Sequence, residues 1–269
     1  MQKGISELTG AKKYLVDRAI AAKMYYLATE GALTHRFYDT LVFNKFKQAL
    51  GGRVRVMVTG SAPINPEIVN FLKIAFGCQL HECYGQTESA APLACSSTLS
   101  KTSGHVGGPY STCDLKLVDV PEMAYTSEDV DENGVPIPRG EVCFRGFNCF
   151  KGYFKMPKET KETIDEDGWV HTGDIGMFLP DGTLKIIDRK KNIFKLSQGE
   201  YIIPDKVEQA LTGSPFVAQA FVYGDSLQHF LVAILVPEFS HLSKWAASTG
   251  LPTDNQAALL ANEATVKLF

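Results

Sequence analysis

Apolar residues recur at helical spacing near the start of the chain. Five of them fall on one face of a predicted amphipathic helix: Tyr14, Leu15, Ala19, Ala22 and Tyr26. The charged residues are expected on its other faces: Lys12, Lys13, Asp17 and Lys23. A second helix is predicted over residues 37–50, because Gly51 and Gly52 form a natural stop. This region is expected to be scaffold.

The pattern changes to strand, helix and strand over residues 53–83. Residues 53–58 and 79–83 favour strands, and Asn65 and Gly77 are placed to cap the ends of the helix between them. The buried face of that helix is predicted to hold Ile68, Phe71, Leu72 and Ala75. A strand–helix–strand crossover of this kind predicts parallel strands. In open α/β sheets, ligands bind beyond the carboxyl ends of such strands. The loops at residues 59–63 and 84–88 are therefore candidate binding loops.

Short strands separated by Gly and Pro turns occupy residues 104–185, which favours a small β-barrel or β-sandwich subdomain. The remainder predicts a helix, two strands and a helix, at residues 205–211, 217–223, 230–236 and 239–248, and a further helix over 257–269. The fold class is therefore α/β, with a parallel sheet and a β subdomain followed by an α+β unit. We place the domain boundary between residues 1–187 and 188–269, and begin the β subdomain of the first domain at about residue 104.

Composition excludes several classes of protein. With 45% hydrophobic and 21% charged residues and a net charge of −3, the chain is typical of a globular protein and not of one that coats nucleic acid. It has no apolar run long enough for a membrane span and no apolar secretory leader, so an intracellular protein is expected. The six cysteines lack zinc-site spacing and are predicted to be reduced and mostly buried.

The loop of Tyr84, Gly85, Gln86, Thr87 and Glu88 carries the first candidate chemistry. An aromatic ring can lie on a purine, a hydroxyl can donate to a phosphate oxygen, and a carboxylate beside phosphates is a natural Mg²⁺ ligand. The alternative is a plain strand-to-helix loop in which Glu88 is a first-turn acid.

Two further segments could contact a nucleotide. Asp174 ends an apolar strand, where a carboxylate can accept both hydroxyls of a ribose, although an Asp that caps a turn is the alternative. His171 has no evident partner and is assigned a structural role. In the charged run at residues 188–200, Arg189 suits a sugar or phosphate oxygen and Lys195 a charged reacting group. Most such runs are simply solvated surface.

Together these segments resemble the adenylate-forming superfamily, and within it most closely the long-chain fatty acid–CoA ligases (acyl-CoA synthetases). The resemblance covers most of the chain from about Leu41 onward. It lies in residues 59–63, 84–88, 104–107, 140–146, 168–174 and 188–200. It implies ATP-dependent attack of a fatty carboxylate on the α-phosphate of ATP, followed by displacement of AMP by the thiol of coenzyme A.

The resemblance also implies roles for individual residues. Tyr84 would stack on adenine within a loop that includes Gly85 and Gln86, Thr87 would bond the α-phosphate, and Glu88 would hold Mg²⁺. The adenine and acyl side of the pocket would be lined by Gly60, Ser61 and Ala62. The ribose hydroxyls would be held by Asp174 and Arg189. The small domain would rotate about Asp188, and would present Lys195 and Gly199 for thioester formation. The implied cofactors are ATP, Mg²⁺ and coenzyme A.

The chain departs from the family pattern in two respects. Cys83 stands where relatives have glycine and is expected to narrow the acyl channel. The family's phosphate loop and its C-terminal adenylation lysine would lie upstream and downstream of this sequence. We therefore interpret the chain as the last part of the large AMP-binding domain plus an incomplete small domain, with little or no acyl-CoA synthesis expected from it alone.

Two alternatives to fatty acid activation stay open. The chain could be a non-catalytic module that binds AMP, acyl-AMP or coenzyme A, or it could derive from a ligase for an amino, aryl or luciferin-like acid. The segments 188–191 and 198–201 favour the fatty acid. The expected partners are fatty acid, ATP and coenzyme A, without nucleic acid. Because the substrate lives in lipid, the expected location is cytoplasmic, with peripheral contact to the cytosolic face of the endoplasmic reticulum or another intracellular membrane.

Overall fold

The computed structural model divides the chain into two units, Met1–Ile187 and Asp188–Phe269. The structure describes residues 5, 8–90, 92–98, 100, 102–190, 192–198, 200–225, 227–253 and 255–269, and only the backbone of Asp188, Phe194 and Lys195. Both units mix helices and strands. The predicted α/β class is confirmed, and each unit is described separately below.

Helices begin the first unit. Helix α1 (Gly10–Glu30) ends at Gly31, which adopts a left-handed conformation with φ of 72°. It is followed by α2 (Arg36–Tyr38), a π-helical turn (Asp39–Phe43) and α3 (Asn44–Ala49), so the predicted second helix contains one wider turn. The buried residues of α1 are Ala19, Lys23 and Leu27, whereas Tyr14 is largely exposed. The predicted apolar face was therefore wrong in part.

Lys23 is buried because the π-helical turn provides it with a carboxylate. Its side chain is 1% exposed, and its Nζ donates to Oδ1 of Asp39 and to the carbonyl of Ile74, both at 2.6 Å. Lys47 donates to the second oxygen of Asp39 at 3.1 Å. Burial alone would raise the pKa of Asp39, but the hydrogen bonds from Lys23 and Lys47 outweigh it and lower that pKa below its ordinary value. The prediction that Lys23 lies on a different face from the apolar residues was wrong, because it is buried together with Ala19 and Leu27.

A parallel strand pair follows, as the crossover predicted. Strand β1 (Val56–Thr59) pairs in parallel with β2 (Gln79–Gly85), and α4 (Pro66–Phe76) connects them. Asn65 caps this helix by accepting the Glu67 N–H at 2.8 Å, and Gly77 ends it with φ of 58°. The sheet continues antiparallel through β3 (Pro92–Cys95) and β4 (Gly108–Pro109). Ile68 of the predicted buried face is exposed.

A second sheet of the first unit forms an open, curled half-barrel. Its strands are β5 (Cys113–Val118), β6 (Arg139–Gly146), β7 (Val170–Phe178) and β8 (Leu184–Arg189), paired in that order. The short helix α5 (Pro157–Thr163) lies between β6 and β7 in the chain. The core of the curled sheet is shared with the first sheet. Tyr84 and Leu93 of the first sheet pack with Val142, Phe144, Val170 and Leu184 of the curled sheet.

The second unit is a small α+β unit. Strands β9 (Phe194–Lys195) and β10 (Tyr201–Ile202) are antiparallel, as are β11 (Val217–Gly224) and β12 (Leu231–Pro237). Helix α6 (Pro204–Thr212) packs on β11, and α7 (Phe239–Ser248) follows β12. The predicted helix over 257–269 is instead two helices, α8 (Gln256–Leu260) and α9 (Glu263–Leu268). Asn262 separates them by accepting the Ala264 N–H and capping α9.

The prediction that the cysteines are reduced is wrong for one pair. Cys83 and Cys95 are joined by a disulfide, because they lie directly opposite one another on β2 and β3 with their Cα atoms 4.0 Å apart. Cys78 and Cys143 are free and buried, as predicted, and Cys113 and Cys149 are free and partly buried.

Among the described residues, every helix is too short or too polar to cross a lipid bilayer.

The buried ion pair of α1 gives a testable prediction. Replacing Asp39 by asparagine leaves the Lys23 ammonium buried without its countercharge, so the free energy of unfolding should fall by about 3 kcal/mol or more. The double variant Lys23→Met/Asp39→Asn removes both charges and should regain most of that loss. Urea denaturation followed by circular dichroism measures both effects.

The matched control is Asp17→Asn, which removes the exposed pair between Lys13 and Asp17. It should change the free energy of unfolding by less than about 0.5 kcal/mol. An Asp39→Asn variant no less stable than this control would contradict the account of the buried pair.

Candidate active site

Two of the segments singled out in the sequence meet in one hydrogen bond. Tyr84 lies near the end of β2 and Asp174 lies in β7. The Tyr84 hydroxyl donates to Oδ2 of Asp174 at 2.7 Å. The two residues are 9% and 8% exposed, so this is a buried contact. The structure therefore brings together the predicted adenine and ribose residues, which are far apart in sequence.

Asp174 is carried on a bulge of β7. Glu141 of β6 pairs with Ile175 and Cys143 pairs with His171, so three residues of β7 lie opposite Val142 alone. Gly173, in the middle of the bulge, has φ of 71°, a left-handed conformation that favours glycine. The bulge re-aims the strand at the point where Asp174 meets Tyr84.

The loop after Tyr84 is a short capped turn. Gln86 precedes a 3₁₀ turn, Thr87–Ser89, and the Ser89 hydroxyl accepts from the Gln86 N–H at 3.1 Å and donates to the Gln86 carbonyl at 2.7 Å. Gly85 and Thr87 are exposed, so the Thr87 hydroxyl is accessible to a ligand. Within the described part of the chain, the Gln86 Nε2 atom is buried without a hydrogen-bond partner.

Glu88 is held by a residue that sequence reasoning did not single out. The Tyr153 hydroxyl donates to Oε1 of Glu88 at 2.5 Å, and the Phe150 N–H donates to the Glu88 carbonyl at 2.8 Å. The hydrogen bond to Glu88, together with burial, raises the pKa of Tyr153. No local sequence signal links Tyr153 to Glu88, because the two residues are brought together only by the fold.

The described residues contain no cluster of three or more His, Cys, Asp or Glu side chains that could hold a metal ion. Glu88 is therefore not part of such a cluster. A carboxylate outside a cluster still suits Mg²⁺, which commonly takes one or two protein carboxylates and completes its shell with phosphate oxygens and water.

The loop after β1 lies against the end of β2. A Cβ atom at Gly60 would be 3.0 Å from the carbonyl oxygen of Cys83, the residue before Tyr84, so a larger residue would press on that strand. Ser61 adopts a left-handed conformation with φ of 71°, and Gly60, Ser61 and Ala62 are all exposed. The predicted lining residues thus lie on an accessible loop close in the fold to Tyr84.

His171 has partners that the sequence did not reveal. Its Nδ1 lies 3.6 Å from Oε2 of Glu141 and 3.4 Å from Sγ of Cys143, and its Nε2 lies 3.5 Å from Oδ2 of Asp165. The expectation that it lacks a partner was wrong. These contacts tie β7 to β6 and to the turn before β7.

The remaining predicted residues belong to the second unit. Arg189 ends β8, is exposed, and accepts the Asn192 N–H at its carbonyl at 3.0 Å. Asp188 and Lys195 lie in β8 and β9, but their side chains are outside the described part, and Gly199 lies outside the described residues. The roles of these four residues stay predictions.

Comparison with known proteins identifies the family to which the chain belongs. The model of the AMP-binding enzyme family matches residues 19–154, about half of the chain. The chain is 49% identical over 92% of its length to the peroxisomal long chain acyl-CoA synthetase 7 of Arabidopsis thaliana. It is 48% identical over 90% of its length to long-chain-fatty-acid–CoA ligase 1 of Homo sapiens.

Solved structures agree with these sequence matches. The adenylation domain of a carboxylate reductase from Mycobacterium chelonae matches 86% of this chain with a TM-score of 0.67 and 33% identity. The corresponding domain from Segniliparus rugosus, solved with AMP and a co-purified carboxylic acid, matches 87% with a TM-score of 0.64 and 31% identity. This chain covers 35% and 38% of those two chains.

The chain spans about a third of the length of the curated relatives it matches, with 35% and 34% of the two synthetases named above covered. The family model's match at residues 19–154 includes the strand that carries Tyr84 and the 3₁₀ turn that follows it. With half of the chain matched in this way, the conclusion is that the chain belongs to the family of AMP-binding enzymes.

Proposed function

We propose that this chain is part of a long-chain fatty acid–CoA ligase. In this reaction a fatty carboxylate attacks the α-phosphate of ATP, releasing pyrophosphate and forming acyl-AMP. The thiol of coenzyme A then displaces AMP to give the thioester. The proposal is supported by the identity of 48–49% to two proteins named as long-chain synthetases or ligases.

The observation that carries the proposal is the buried contact between Tyr84 and Asp174. In the proposed complex, adenine lies against the Tyr84 ring and the ribose hydroxyls donate to the Asp174 carboxylate. One oxygen of that carboxylate accepts from the Tyr84 hydroxyl, and this hydrogen bond helps to fix the orientation in which the carboxylate meets the sugar.

The turn at Thr87 and Glu88 is proposed to hold the phosphates. The exposed Thr87 hydroxyl can donate to an oxygen of the α-phosphate. Bound Mg²⁺ would neutralise phosphate charge in the first half-reaction, and the Glu88 carboxylate is the residue that would hold it. Tyr153 keeps Glu88 in place through the hydrogen bond between its hydroxyl and Oε1. Gly60, Ser61 and Ala62 are proposed to line the adenine and acyl side.

The second half-reaction is proposed to use the second unit. Asp188 begins that unit and is proposed as the hinge, because a hinge would let one pocket serve two reactions in turn. Arg189 is proposed to hold the ribose with Asp174, and Lys195 and Gly199 to lie on the face presented to coenzyme A. Positioning and charge neutralisation, more than covalent catalysis by the protein, would lower the barrier.

A second candidate function is binding of AMP, acyl-AMP or coenzyme A without thioester formation. The observation that favours it is that the first unit alone contains Tyr84, Thr87, Glu88 and Asp174, which are the groups proposed to grip the nucleotide. This candidate function predicts that the protein binds the nucleotide but forms no thioester with any of the carboxylic acids tested.

We propose a location on the cytosolic face of an intracellular membrane, such as the endoplasmic reticulum, by peripheral contact. The support is chemical, because a long-chain fatty acid partitions into lipid. One relative is named as peroxisomal. Imaging of the tagged protein against markers of both organelles distinguishes the two locations.

Nucleotide binding tests the contact that carries the proposal. Titration calorimetry should show AMP binding to the chain, and Asp174→Ala should weaken it about tenfold or more because ribose hydrogen bonds to a charged acceptor are lost. Tyr84→Ala should have a similar effect through lost stacking. Tyr84→Phe keeps the ring but loses the hydroxyl, so its AMP affinity should lie between that of Tyr84→Ala and that of the unchanged protein.

The controls are Asp114→Ala and Tyr110→Ala, which alter exposed residues of the same types in the same unit and should leave AMP affinity unchanged. Absence of AMP binding at millimolar ligand, or equal losses in the control variants, would refute the proposed site.

The role of Glu88 is tested by magnesium dependence. Mg²⁺ should tighten ATP binding to the unchanged chain, and Glu88→Gln should abolish most of that gain while leaving binding of AMP without metal nearly unchanged. Glu166→Gln, an exposed acid elsewhere in the first unit, is the matched control. An undiminished effect of Mg²⁺ on the Glu88→Gln variant would remove Glu88 from the metal site.

The acid is tested in the protein at the full length of its relatives. Thioester formation with coenzyme A should be faster with palmitate than with acetate or an aryl acid, because the chain is 48–49% identical to proteins named as long-chain synthetases or ligases. Faster activation of acetate or an aryl acid would favour a ligase for another acid. Nucleotide binding without any thioester would favour the second candidate function.

A further inference from the structure

The bulge that carries Asp174 has an unusual set of hydrogen bonds. Between the paired positions Glu141–Ile175 and Cys143–His171, strand β6 has one residue and β7 has three. The two extra residues interrupt the regular ladder between the strands. Backbone groups in this segment therefore need other partners, and side chains supply them.

Two side chains close the bulge. The Gly173 N–H donates to Oε1 of Glu141 at 3.1 Å. The Thr172 hydroxyl donates to the Val142 carbonyl at 2.7 Å and accepts the Asp174 N–H at 3.0 Å. The backbone on the N-terminal side of the Asp174 side chain is thus fixed by one carboxylate and one hydroxyl.

Glu141 is well placed to act at a distance from the ligand. Its side chain is 13% exposed, and its second oxygen lies 3.6 Å from Nδ1 of His171. A hydrogen bond to an ionised acceptor is about twice as strong as one between neutral groups. The Glu141 carboxylate thereby links His171, before the bulge, to Gly173, in its middle.

We propose that Glu141 is a positioning residue for the ribose-binding carboxylate of Asp174. It acts through the Gly173 N–H, which holds the bulge in the conformation that points Asp174 towards the Tyr84 hydroxyl. Glu141 itself contacts no nucleotide. The inference rests on the proposed function, because it presumes that Asp174 binds a ribose.

The proposal separates orientation of Asp174 from stability of the sheet. If Glu141 only stabilised the sheet, its loss would weaken the binding of every ligand alike. If it orients Asp174, its loss should weaken only ligands that have ribose hydroxyls. Comparison of AMP with 2′,3′-dideoxy-AMP, which lacks both hydroxyls, therefore isolates the orienting role.

The experiment measures the affinities of AMP and 2′,3′-dideoxy-AMP by calorimetry for the unchanged chain and three variants. Glu141→Ala should weaken AMP about tenfold, in the range seen when residues that orient a ligating group are removed, and leave the dideoxy analogue nearly unchanged. Glu141→Gln keeps an acceptor oxygen for the Gly173 N–H and should recover most of the AMP affinity. Glu128→Ala, an exposed acid of the same unit, is the control.

Hydrogen exchange gives a second readout that needs no ligand. The Gly173 and Asp174 amides should exchange faster in Glu141→Ala than in the unchanged chain, and Glu141→Gln should restore protection. Three results for the Glu141→Ala variant would overturn the proposal: an equal loss of affinity for both nucleotides, an unchanged affinity for AMP, or an unchanged exchange rate of the Gly173 amide. An unchanged chain that binds both nucleotides equally, or neither, would instead refute the proposed ribose site.

Discussion

The hydrogen bond between the Tyr84 hydroxyl and the Asp174 carboxylate is the interaction on which the site depends. It joins the end of β2, in the sheet that begins with a parallel pair, to a bulge in the curled sheet. Burying a carboxylate is costly unless it is hydrogen-bonded, so the contact ties the two sheets to one relative arrangement. The shared core around Tyr84 and Leu93 reinforces the same junction.

The first unit repeatedly places a charged side chain where backbone geometry departs from a regular helix or strand. The π-helical turn provides Asp39 for the buried Lys23, and the bulge of β7 receives a hydrogen bond acceptor from Glu141. In both cases the irregular backbone brings together groups that ideal geometry would keep apart. Such irregularities are common at functional sites, where a side chain has to be aimed.

Regular elements could be predicted from the sequence because their signals are local. The Asn65 cap, the Gly77 stop and the β-branched run before Thr59 each act within a few residues, and the parallel pairing follows from the crossover. The site segments could be selected by motif, and the structure brings Tyr84 and Asp174 together. Contacts that depend on chain folding over long separations had no such signal.

Four features of the structure could not be predicted from local sequence signals. The burial of Lys23, the disulfide between Cys83 and Cys95, and the partners of His171 each require a residue that is distant in sequence or lies on a neighbouring strand. Tyr153 reaches Glu88 across 65 positions. A lysine on a helix is ordinarily solvated, and only the position of Asp39 in the folded chain makes its burial favourable.

A crystal structure of the chain with AMP tests the central claim most directly. The account predicts that the ribose hydroxyls lie within hydrogen-bonding distance of the Asp174 carboxylate, with adenine against Tyr84 and the hydroxyl of Tyr84 still bonded to Asp174. AMP bound away from both residues, or a bound state in which Tyr84 and Asp174 have separated, would contradict it.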